Sequence, residues 1–199
     1  MIDSIYISFM PEEYRVVDVS PKDNACGIWF ESKTNWSQNI VKVSALPYTD
    51  SLFPNKKQMY IDKLYASLND QKAIIEILIG VTNQGNDYIY TIEKNKRTSK
   101  GEQYTLTMQI AFEHFVLSIN GSFSEIAQEA YREVSVLKKL KTEHHNINNS
   151  PNWHRDPYNH NSEKQYVMNI SELSSFDEQF KNHPLSLCRS LVDHILKTK

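Results

Sequence analysis

The sequence predicts an α+β fold: an antiparallel sheet flanked by helices, α-β-α sandwich-like, with a C-terminal helical tail. Three observations carry this. Tyr104, Leu106, Met108 and Ile110 alternate with Thr105, Thr107 and Gln109, the period of a half-buried strand. Apolar residues at i, i+3, i+4 spacing over Tyr60–Leu68 and Leu187–Ile195 mark helices with one buried face. The order along the chain is strands, helix, antiparallel strands, helix, which places helices over an antiparallel sheet.

The N-terminal third reads as short strands at Ile5–Phe9, Tyr14–Val19, Gly27–Glu31 and Ile40–Ala45, rich in Ile, Val, Tyr, Phe and Trp. Of Trp29 and Phe30, one belongs in the core. Pro54 opens a helix where its missing N–H costs nothing, and Asn69-Asp70 ends it. Ala73–Val81 is apolar on both faces, which predicts a central strand. A turn at Asn83-Gln84-Gly85-Asn86 leads to Tyr88–Glu93 as the second arm of a hairpin. Lys94–Gly101 reads as a polar tip. Phe115, Leu117 and Ile119 continue the meander until Gly121 breaks it. Ser122 with Glu125 spells a capping box. The helix it opens runs to about Lys141, its stripe being Ile126, Ala127, Ala130, Tyr131, Val134 and Leu137.

Residues 1–141 therefore form an α+β core domain. Residues 142–163 read as a polar, extended or mobile connection, and 164–199 as a helical tail packed on the core. In the tail, Phe176 and Phe180 share a short helical turn. Pro184 starts a last helix, with Leu187, Cys188, Leu191, Val192 and Ile195 on one side. An amphipathic helix needs a surface to cover, and the chain's own body is the simplest one.

Composition narrows the function. The chain has 199 residues, 40% hydrophobic and 23% charged, with net charge −2. No global field attracts nucleic acid, and no run of about 20 apolar residues would cross a membrane. The start, MIDSIYISFMPEEY, lacks the basic, then apolar, pattern of a signal peptide, so the expected compartment is the cytoplasm. Cys26 and Cys188 are too few for a disulfide framework. The five glycines fall in no phosphate-cradling motif. No cofactor is expected.

The element order of residues 1–141 resembles that of the PsbP/DcrB-like α-β-α sandwich proteins: strands, a helix opened by Pro54, a hairpin meander from Ala73 to Phe123 and a closing helix to Lys141. The resemblance implies a non-enzymatic role as a binding module, an assembly factor or, in bacteria, a chaperone for secreted effectors.

Glu143–Asn161 (EHHNINNSPNWHRDPYNHN) holds four of the seven histidines. His154, Asp156 and His160 could converge around Pro157 on a metal ion, or His154 could act as a general base oriented by Asp156. No H-E-x-x-H, C-x-x-C or G-x-S-x-G accompanies them, so a solvated loop competes with both. Large aromatics in polar segments anchor contacts, which makes Trp36, Trp153 and Tyr158 candidates for partner binding. Trp153, Tyr158, Phe176 and Phe180 could instead pin the tail to its own domain. Lys94, Lys96, Arg97 and Lys100 make a basic tip; Lys96 and Arg97 are its partner-binding candidates. Glu172, Asp177 and Glu178 in the tail could answer the tip across the molecule.

The expected function is a non-enzymatic protein-binding module: a bacterial chaperone, adaptor or immunity protein acting on a toxin or effector. The alternatives are a metal- or His-dependent hydrolase centred on the WHRDPYNH segment, and a structural domain without a ligand of its own.

Overall fold

Strand β6 (Gln103–Ala111) shows how the alternation builds the sheet. Tyr104, Leu106, Met108 and Ile110 are buried, while Gln103, Thr105, Thr107 and Gln109 are half-buried on the other face. It pairs antiparallel with β5 (Asp87–Asn95) and with β7 (Phe115–Glu125). The computed structural model, which describes residues 9–17, 27–48, 57–96, 101–126, 130–143, 153–159 and 166–198, extends this into a seven-stranded sheet. Its order is β1-β2-β3-β7-β6-β5-β4, with β1 at Arg15–Val17, β2 at Ile28–Lys33, β3 at Ser37–Pro47 and β4 at Lys72–Val81. Helix α1 (Lys57–Ser67) precedes β4, α2 (Tyr131–Glu143) follows β7, and α3 (Pro184–Lys197) closes the tail. A small pairing of β8 (His154–Arg155) with β9 (Met168–Asn169) joins the connection to the tail. The expected α+β class is the observed one.

Register puts the apolar side chains in rows. Ile28, Val43, Ile119, Met108 and Tyr90 are successive partners across five strands. Leu185, Cys188, Leu191, Val192 and Ile195 of α3 pack with them in one core. Burying each large aliphatic side chain contributes about 1.5–3 kcal/mol, so this one helix face holds the tail on the sheet. Residue for residue it is the stripe expected from the sequence, except that Leu187 is only partly buried and Leu185 takes a place in the core. Among the described residues no helix is long and apolar enough to cross a membrane.

Three expectations are corrected. Strand β4 lies at the edge of the sheet, not its centre. Its two apolar faces are both covered all the same: Ile75 joins the main core, while Ile74 and Ile77 pack against Ile61 of α1 and Tyr158. The bulge between Ile74 and Glu76 re-aims the strand between these two layers. Burial on both faces is thus no guide to lateral position.

Gly121 does not break β7, which runs on to Glu125. Its partners Val41 and Leu106 flank it, and a Cβ there would stand 2.6 Å from the Phe123 ring. The glycine makes room for a neighbour inside the strand. The capping box is likewise absent. Ser122 and Ser124 accept from the Gln103 amide, and Glu125 accepts the Glu102 N–H.

Helix α2 therefore starts late, after Ala130, whose φ is 51°. Its buried residues are Arg132 and Val136, while Tyr131 and Val134 of the expected stripe face solvent. The third correction concerns the basic tip: Lys94 is inside the protein, not solvated. Expectations that rest on residues 1–8, Cys26, Pro54, Arg97, Lys100, Ala127, His144, His145 or His160 lie outside the described residues.

Candidate functional site

One end of the sheet gathers what the sequence scattered. Strand β7 reaches Glu125 beside Ser37 of β3, and the Ile126 N–H continues the ladder by bonding to the Trp36 carbonyl at 3.0 Å. Thr34 caps this turn: its hydroxyl accepts from the Trp36 and Ser37 N–H groups. Trp36 is thereby held outward from the end of β3. The first turn of α2 brings Tyr131 over it, ring centroids 4.8 Å apart and tilted by 33°. Phe180 of the tail also meets Tyr131, edge-on at 6.0 Å. Glu125, Glu178, Lys181 and His183 complete a groove of about 360 Å³.

Ile126, Tyr131 and Val134 are 43, 40 and 44% exposed. Tyr131 and Val134 lie three apart on one face of α2, and Ile126 and Tyr131 both adjoin Trp36. Grouped apolar exposure of this kind is what partner surfaces display.

A polar network joins sheet and tail beside Phe180, which lines the groove. Arg132 is buried, and each of its three nitrogens has a partner. Its guanidinium donates to the Ser171 and Leu173 carbonyls and the Ser186 hydroxyl, and it pairs with Asp177 at 2.9 Å. It also lies over the Phe180 ring at 5.6 Å. Arg189 joins Asp177 at 3.2 Å and Glu76 of β4 at 2.9 Å. Lys94 pairs with Glu172 at 3.1 Å, the two side chains 5 and 2% exposed. Glu172 accepts from the Tyr104 hydroxyl and the Asn169 N–H as well.

Buried ions of this kind are tolerated because partners and hydrogen bonds meet each one. Two of the three tail carboxylates singled out from the sequence thus do answer cations across the molecule, though only Lys94 belongs to the expected tip. Glu178 instead pairs with Lys181 beside it.

His183 stands where the groove meets the network. Burial first, and then the charges of Arg132, Arg189 and Lys94, hold its imidazole well below the ordinary value. It is therefore neutral at pH 7. Burial likewise raises the Tyr104 phenol, with Glu172 and Glu102 adding to the effect.

The sequence-derived site residues do not converge. Trp36 lines the groove. Tyr158 lies at the β4 edge, with β7, β6 and β5 between it and β3. Its hydroxyl accepts the Ile77 N–H at 2.6 Å and donates to the Ile77 carbonyl at 3.2 Å. Trp153 is partly buried, edge-on to His154, and its carbonyl accepts the Ile170 N–H. Lys96 is exposed.

Asp156 accepts from the Tyr65 hydroxyl and from the Tyr158 and Asn159 N–H groups, an Asx turn clamped onto α1. His154 is exposed on β8. Among the described residues no three His, Cys, Asp or Glu side chains are grouped to hold a metal ion. Tyr131 was expected in the core and His183 was not singled out. The one signal for His183 was its place just before Pro184, where helix caps sit.

No known protein family matches the chain, and no curated protein does. Among solved structures, the solution structure of cyanobacterial PsbP (CyanoP) from Synechocystis sp. PCC 6803 is similar at 14% identity, with a TM-score of 0.38. The match covers 67% of this chain and 81% of that one. The likeness is distant.

Proposed function

We propose that this chain is a non-enzymatic protein-binding module, and that the patch of Trp36, Ile126, Tyr131 and Val134 with its adjoining groove is where the partner docks. The observation that carries the reading is the grouping of exposed apolar side chains around two aromatic rings in contact. Rigid aromatics bury much area at little entropic cost, and contacts of this type concentrate binding energy. Glu178 and Lys181, both exposed, supply a polar rim, as interface cores commonly have. The partner class that fits is a toxin or effector handled by a bacterial chaperone, adaptor or immunity protein.

The test places a photo-crosslinking residue at Tyr131, and separately at Met59 on α1, which is 51% exposed and outside the patch. In native cells, position 131 should capture a defined protein that position 59 does not. Trp36→Ala should reduce the capture about tenfold or more, the loss of one hot-spot aromatic. Equal capture at both positions, or none at 131, refutes the assignment of the surface.

A further inference from the structure

Helix α3 begins on an imidazole. His183 is its N-cap, with extended backbone (φ −72°, ψ 142°), and Pro184 opens the first turn. The His183 Nδ1 accepts the Leu185 N–H at 3.2 Å. A ring nitrogen accepts only while it carries no proton, and an imidazolium donates from both nitrogens. The cap therefore exists in one protonation state alone.

The surroundings set that state. Burial, and then the charges of Arg132 on α2, Arg189 on α3 itself and Lys94 on β5, act against the protonated ring. Tyr104 of β6 meets it edge-on at 5.7 Å. The acids of this region are already engaged: Asp177 bridges Arg132 and Arg189, and Glu172 holds Lys94. Glu125 of β7, with Glu178 and Lys181 from the segment ahead of α3, lines the same groove. Glu125 is bonded to the Glu102 N–H and Glu178 to Lys181.

We propose that His183 is a proton-operated latch: neutral, it caps α3 and holds its first turn on the sheet; protonated, it releases Pro184–Leu187. Uptake of a proton turns the Leu185 N–H contact from a bond into a clash of two donors and adds a fourth cation beside Arg132, Arg189 and Lys94. Leu185, fully buried at the head of the apolar face of α3, is the first side chain to be uncovered. The latch rests on the helix cap and not on where a partner docks, so it stands apart from the binding reading.

The sign follows from linkage. The docked imidazole binds a proton less readily than a released one, so release gains as pH falls below the ordinary imidazole value of about 6.5. The gain is up to about tenfold per pH unit until the docked ring itself titrates. Above pH 7 the latch is shut.

Amide hydrogen exchange on the full chain reads this directly. Protection factors at Leu185–Cys188 should fall about tenfold or more between pH 7 and pH 5, relative to Leu106 in β6, by the same linkage. His183→Asn, which caps through an oxygen that does not titrate in this range, should show no such fall. Equal falls in both proteins overturn the proposal. Should the variant not fold, the imidazole of the unaltered chain decides by NMR: a midpoint below the ordinary value, moving with the Leu185 amide, supports the latch. A midpoint at the ordinary value with an unmoved amide overturns it.

Discussion

Lys94 shows what a residue's type conveys and what it withholds. Four cations in seven residues near a hairpin end read as a solvated tip, and Glu172 was one acid able to answer them. The structure brings Lys94 and Glu172 together in the interior across 78 positions of sequence. Type and charge were legible; the meeting was not, because it depends on tail and sheet being placed first. Glu172 keeps its bonds from Tyr104 and Asn169 if Lys94 is lost, but the carboxylate is left buried without a counter-charge. Lys94→Met should therefore cost about 3–5 kcal/mol in urea denaturation, and adding Glu172→Gln should recover much of it. A loss under about 1 kcal/mol would place the pair in the class of solvated ion pairs.

Elements were more legible than residues. Period-two alternation located β6, and the i, i+3, i+4 stripe located α3 with its buried face. The misreadings share a cause: one local signal served two structures. Gly121 and Ser122-x-x-Glu125 spell a strand end and a helix start by local rules, yet long-range pairing with β3 and β6 carries the strand through them. Helix α2 then begins ten residues after Gly121, which turns Tyr131 and Val134 outward and creates the exposed patch that the sequence hid. Gly121→Ala tests the strand assignment. A strand-ending glycine in solvent would tolerate alanine, whereas a Cβ 2.6 Å from the buried Phe123 ring should cost about 1–3 kcal/mol, measured as a shift in denaturation midpoint.

At the scale of the whole molecule, the tail is part of the core. Five α3 side chains share one cluster with the sheet, and Arg189 reaches back to Glu76 of β4. The amphipathic helix announced that it would cover something, and its own sheet is what it covers. At neutral pH, tryptophan fluorescence and far-ultraviolet circular dichroism should accordingly report one shared unfolding midpoint. Two separate midpoints would mean that sheet and tail melt independently.

Tyr158 has a further consequence for behaviour at high concentration. The outer strand of a sheet is a template on which another extended chain can grow. On β4 the outward-facing N–H and C=O of Ile77 are already spoken for by the Tyr158 hydroxyl. Asp156, bound to Tyr65, holds that tyrosine in place. A second copy stacking edge-to-edge along β4 must first pull out this plug. Asp156 and Tyr158, from the polar connection, thus cover part of the outer edge of β4.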